Sequence, residues 1–148
     1  MTRLWLFLHL LGFVMWMGGG LAAMFAGIAA KSEDRAGLGA VVRAQSAVQR
    51  IIIGPGALLT VLSGLMLTFA LTGMAGVSIW LMVMQGAGLV GALLTLFVAV
   101  PTAIRLARLD PIGANAAYFD ELRKRQKVVG MLWGLLALAA LVGGVMAR

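Results

Sequence analysis

The chain has 148 residues, of which 62% are hydrophobic and 11% charged, with a formal net charge of +7 and no cysteine. A soluble domain is about half apolar and a quarter charged, so this composition and a mean hydropathy of +1.03 point to an integral membrane protein with room for one compact bundle. Disulfides and thiolate metal sites are excluded, and the basic excess comes with no nucleic-acid-binding signature, which leaves membrane lipids of the anionic leaflet as its partner.

Three stretches carry no formal charge: 4–30, 51–104 and 128–147. About 20 apolar residues cross a bilayer as a helix, so the middle stretch is too long for one crossing. It is expected to turn back within 72–78, where Gly73 and Gly76 interrupt the bulky pattern. The reading is an all-α, four-helix membrane bundle with spans at 4–30, 53–71, 79–101 and 128–145, joined by segments 31–52 and 102–127. The first run is longer than the apolar part of a secretion signal and reads as a signal-anchor helix. Of the 12 lysines and arginines, the two long segments hold Lys31, Arg35, Arg43, Arg50, Arg105, Arg108, Arg123, Lys124, Arg125 and Lys127. The positive-inside rule therefore places these segments in the cytoplasm and both termini outside.

Ser32-Glu33-Asp34 suits a helix start, where acidic and hydroxyl groups meet unpaired backbone N–H groups. Gly54-Pro55-Gly56 predicts a kink, or an unwound ligand-binding stretch, at the start of the second span. Asp110-Pro111 reads as a break. The pairs Asp120/Lys124 and Glu121/Arg125 stand one helical turn apart and predict local ion pairs. Arg123, Lys124, Arg125 and Lys127 form a basic cluster that either sets topology or binds lipid headgroups and phosphate.

Chemistry concentrates on the first span. His9 is the single histidine, and an ionisable side chain inside a span marks a functional position. His9, Gly12 and Trp16 share a helical face, and the glycine on it predicts a close helix neighbour, so that His9 points into the bundle. Gln85 lies at a similar depth in the third span, with Met66, Met82 and Met84 nearby. Imidazole with thioether suits copper(I) or haem iron, so His9 with Met84 is the candidate metal pair, and His9, Trp16, Gln85 and Met66 the candidate cofactor set. The alternative is a structural His9, hydrogen bonded to a carbonyl, Gln85 or a neighbouring span. Trp5 and Trp80 fit interfacial anchors. Thr60, Ser63 and Thr95 offer interhelical hydrogen bonds, and Gly86, Gly88, Gly91, Gly130 and Gly134 read as contact faces. No Asp or Glu falls within a span, which argues against a carboxylate-driven pump, and there is no nucleophile beside a base.

The pattern Leu8-His9-Leu10-Leu11-Gly12, followed by Trp16 and Gly18-Gly19, resembles the opening helix of the CopD-like superfamily of small bacterial membrane proteins. Gly64, Trp80, Pro101 and Arg105 fit the same layout. That group includes the CopD membrane domain, four-helix relatives and, more distantly, the protoporphyrinogen oxidase HemJ. The resemblance implies a bacterial inner-membrane protein using the first-span histidine, here His9, for haem b or copper. The third-span lysine of HemJ-like members has no counterpart here, where Met82, Met84 and Gln85 stand. A different class of role is an accessory subunit that packs through its glycine faces against a membrane complex or a second copy.

Overall fold

The computed structural model describes residues 1–72 and 78–147. The turn expected within 72–78 falls largely on residues 73–77, which lie outside the described residues, as does Arg148. The chain forms helices α1 (Thr2–Ala29), α2 (Arg35–Val48), α3 (Gly54–Thr72), α4 (Ile79–Leu94), α5 (Val100–Ala107) and α6 (Ala116–Met146). No strand occurs among the described residues. A π turn at Gln49–Ile53 fuses α2 to α3, and another at Thr95–Ala99 fuses α4 to α5. The result is four rods, each long and apolar enough to cross a bilayer. The longest, Arg35–Ala70, has 36 residues, roughly 54 Å of helix against a hydrocarbon core of about 30 Å, so the rods project beyond it.

Local chemistry sets the ends and breaks of these rods. Asp34 caps α2 by accepting the Gly37 N–H at 2.7 Å, and Ser78 caps α4 by accepting that of Leu81 at 3.2 Å. Pro55 and Pro101 each follow a π turn by two residues, and helix continues past both. A proline has no N–H for the carbonyl four residues back and its ring crowds that carbonyl. The wider turn ahead of it, in which Gly54 N–H reaches Gln49 O and Val100 N–H reaches Thr95 O, loosens the backbone there. Gly-Pro-Gly is therefore helical rather than unwound.

The rods pack as two pairs, α1 on α3 and α4 on α6. Each pair closes where glycine removes a side chain. A Cβ built on Gly12 would lie 2.8 Å from Thr60 N, and one on Gly143 would lie 2.8 Å from Met84 N. Backbones this close gain dispersion contacts, which drive helix association where lipid is as apolar as the side chains. Several of the expected contact glycines are not the ones used. A Cβ on Gly86, Gly130 or Gly134 would meet nothing within 4 Å, whereas Gly12, Gly19, Gly20, Gly56, Gly64, Gly91 and Gly143 all pack tightly. The pairs meet around Trp16, Ile53, Ala57, Ala92, Ala99, Val129, Trp133 and Ala137, with Gly54 beside Leu96 and Val100, so the two π turns come together at the centre.

At the basic end α2, α5 and the start of α6 build a second apolar cluster from Ala30, Leu38, Val42, Leu106, Phe119 and Leu122. Across it Arg35 donates Nη1–H and Nη2–H to the two carboxylate oxygens of Asp120, each at 2.9 Å. Asp120 is thus held by a residue 85 positions away instead of Lys124, because the two-pronged fork outcompetes a flexible ammonium. The Arg35 hydrogen bonds hold the Asp120 carboxyl below its usual value, and Asp120 raises that of Arg35. A lowered carboxyl contributes stability above its unfolded value, about 3.9, and loses it as pH falls through the folded value. Asp120→Asn is therefore expected to lower the melting temperature slightly at neutral pH. The difference should shrink with salt and vanish in acid, because both side chains are about half exposed.

Candidate functional site

His9 sits seven residues past the start of α1 at Thr2, roughly 10 Å along the helix. It is partly buried in the groove between α1 and α3. Its Nδ1 lies 2.9 Å from the carbonyl oxygen of Thr60, which can only accept, so Nδ1 carries the proton and donates. The Ser63 hydroxyl stands 3.4 Å from the same nitrogen while donating its own hydrogen to the Leu59 and Thr60 carbonyls. The ring rests on Gly64, where a Cβ would come 3.0 Å from Cε1. In the neutral ring Nε2 then holds the free lone pair. A histidine tied through one nitrogen to a carbonyl has a fixed tautomer and orientation, the arrangement that prepares the other nitrogen as a ligand.

α3 also holds the third-span candidate. Gln85 of α4 donates Nε2–H to Thr68 Oγ1 at 2.7 Å, and Thr68 donates to Gly64 O at 2.9 Å. His9 and Gln85 thus grip the same two turns of α3 from different helices. The hydroxyl and small residues at 60, 63, 64 and 68 repeat at helical spacing within an apolar run, a pattern visible in the sequence once the face is drawn.

The other candidates stand apart from this groove. Met66 is two residues beyond Gly64, about 200° around the helix, and is 46% exposed on the outward surface. Met84 packs its sulfur against Gly144 of α6, where a Cβ would be 3.0 Å away. Trp16 is fully buried, donates Nε1–H to Thr95 Oγ1 at 3.0 Å, and stacks on Trp133 with ring centroids 5.7 Å apart. Trp133 and Thr95 escaped the sequence reading as a unit with Trp16, since their contacts span the whole chain. Among the described residues no three His, Asp or Glu side chains form a metal-binding group.

The basic end carries two clefts. One, of about 450 Å³, is lined by Lys31, Arg35, Arg123 and Lys127 together with Glu33, Asp34 and Asp120. The predicted lipid cluster is thereby divided, with Arg123 and Lys127 at this cleft and Lys124 and Arg125 exposed on the helix surface. The second, of about 280 Å³, is lined by Arg43, Ser46, Arg50, Ile104, Ala107 and Arg108.

Four long apolar rods with a basic collar at one end define a multi-pass helical integral membrane protein. Residues 3–146 match the family described as predicted integral membrane protein (DUF2269), and the chain belongs to that family. No curated protein and no solved structure matches it.

Proposed function

We propose that this is a CopD-like protein of the bacterial inner membrane, with the basic end in the cytoplasm and both termini outside, that holds haem b through His9. The observation that carries this reading is the hydrogen bond from Nδ1–H to the Thr60 carbonyl, which leaves Nε2 as a single oriented nitrogen donor. Through that nitrogen His9 would hold the iron of a haem. A single donor does not suit copper within one chain, because Met66 faces outward and the Met84 sulfur lies against α6. Bound haem would supply one-electron chemistry. The chain's own contribution is to fix the tautomer through Thr60, keep the ring in place over Gly64, and shelter it between helices.

Protein purified in mild detergent from cells supplied with haem precursor is expected to show a Soret band at about one haem per chain. His9→Ala is expected to lose the band while keeping its helical circular dichroism. Absence of any Soret band in the unsubstituted protein defeats the reading. A second reading, an accessory subunit in which His9 only clamps α1 to α3, is favoured by the close seat of the ring on Gly64. It predicts a colourless protein whose His9→Ala variant melts lower, by the ~0.6 kcal/mol typical of one interhelical hydrogen bond in membranes.

A further inference from the structure

We infer that the cleft formed by Arg43, Arg50 and Arg108 is a binding site for an anionic phosphate group. Arg43, Ser46 and Arg50 recur at three- and seven-residue spacing, so they share one face of the α2 rod, and Ile104 and Ala107 of α5 line the cleft with Arg108, which caps that helix. The two helices border an open cleft of about 280 Å³, roomy enough to admit a phosphate group. No carboxylate lines it, in contrast to the other cleft, which holds three acids among its four cations. The one ion pair among the described residues joins Arg35 to Asp120, so the three exposed arginines that line the cleft have no acidic partner. Guanidinium groups offer paired N–H donors that match the oxygens of a phosphate, and three arginines line this one cleft.

The position adds a direction. Ile51, next to Arg50, is 66% exposed and begins the apolar part of the rod, so a headgroup in the cleft would have its acyl chains beside hydrocarbon-facing surface. The shared chemistry is the phosphoryl group, carried either by an anionic phospholipid or by free phosphate.

The test is a titration of the full chain in neutral detergent, following the melting temperature. Phosphatidylglycerol in mixed micelles is one arm, phosphatidylcholine the zwitterionic comparison, and inorganic phosphate the second arm. A saturable rise with phosphatidylglycerol alone supports the site with lipid as its source, and a saturable rise with inorganic phosphate supports it with free phosphate. In either case the double substitution Arg50→Gln/Arg108→Gln is expected to weaken binding about tenfold. Lys31→Gln/Arg105→Gln, which removes the same charge elsewhere on the collar, outside both this cleft and the Arg123–Lys127 cluster, is expected to leave it unchanged. If the first pair melts lower before any addition, the single Arg43→Gln carries the comparison. Equal weakening by both double substitutions, or no saturable response to either anion, overturns the proposal.

Discussion

Gly56→Val is expected to separate α1 from α3 and to leave little folded protein in detergent. A Cβ at this position would lie 2.7 Å from Trp16 N, 2.8 Å from Gly12 O and 2.8 Å from Met15 Cβ. Two of these are backbone atoms of the facing helix, so no rotamer change relieves the clash and the whole helix must move. Overpacking costs about 1–3 kcal/mol and occasionally more. The upper end is expected here, because the same displacement draws Gly12 from Thr60 and shifts the Trp16 backbone. Gly143→Val should do the same to the α4–α6 pair, where a Cβ would be 2.9 Å from Trp80 O. Gly18→Ala is the comparison: a Cβ there meets nothing within 4 Å, and replacing helical glycine with alanine gains up to about 1 kcal/mol. A melting series in one detergent separates these outcomes. If Gly56→Val melts with the parent protein, the close crossing of α1 and α3 is wrong.

That contrast also marks how far residue type alone can be read. The membrane class and the number of crossing helices follow from the length of the uncharged runs, because a bilayer imposes a minimum span. Asp34 as a helix start is likewise local chemistry. The contact glycines are not, because Gly18 and Gly19 are neighbours of identical chemistry and only the second faces Ile53; the choice belongs to the crossing point. Asp120 is a similar case, since a helix-only view pairs it with Lys124 and cannot see Arg35. The His9 groove was partly legible. The shared face with Gly12 identified the packed side, and hydroxyl-bearing Thr60 and Ser63 were available as partners, but the choice of a backbone carbonyl as acceptor needs the register of α1 against α3. Pro55 and Pro101 look like interruptions in sequence because a proline removes a hydrogen bond. The π turns ahead of them depend on the packing at the centre, where Gly54 meets Leu96 and Val100.

The same centre yields the second large effect, and an asymmetry that tests it. Trp16→Ala is expected to cost about 3–5 kcal/mol, the range for emptying a buried aromatic site, since the indole is fully buried and lies over Gly91, whose Cβ would be 3.2 Å from the ring. Phenylalanine should divide the two stacked tryptophans. Trp16→Phe keeps an aromatic ring but loses the hydrogen bond from Nε1 to Thr95 Oγ1, at about 1 kcal/mol. Thr95 itself stays satisfied by donating to Gly91 O. Trp133 Nε1 is buried with no hydrogen-bond partner among the described residues, and a buried donor left unpaired costs about 1–3 kcal/mol. Trp133→Phe removes that donor while retaining much of the stack, so it is expected to melt at or above the parent protein, and Trp16→Phe below it. Near-ultraviolet circular dichroism reports whether the aromatic pair persists in each. If Trp133→Phe proves the more damaging of the two, then Trp133, and not Trp16, has the partnered indole, and the centre of the bundle is arranged differently.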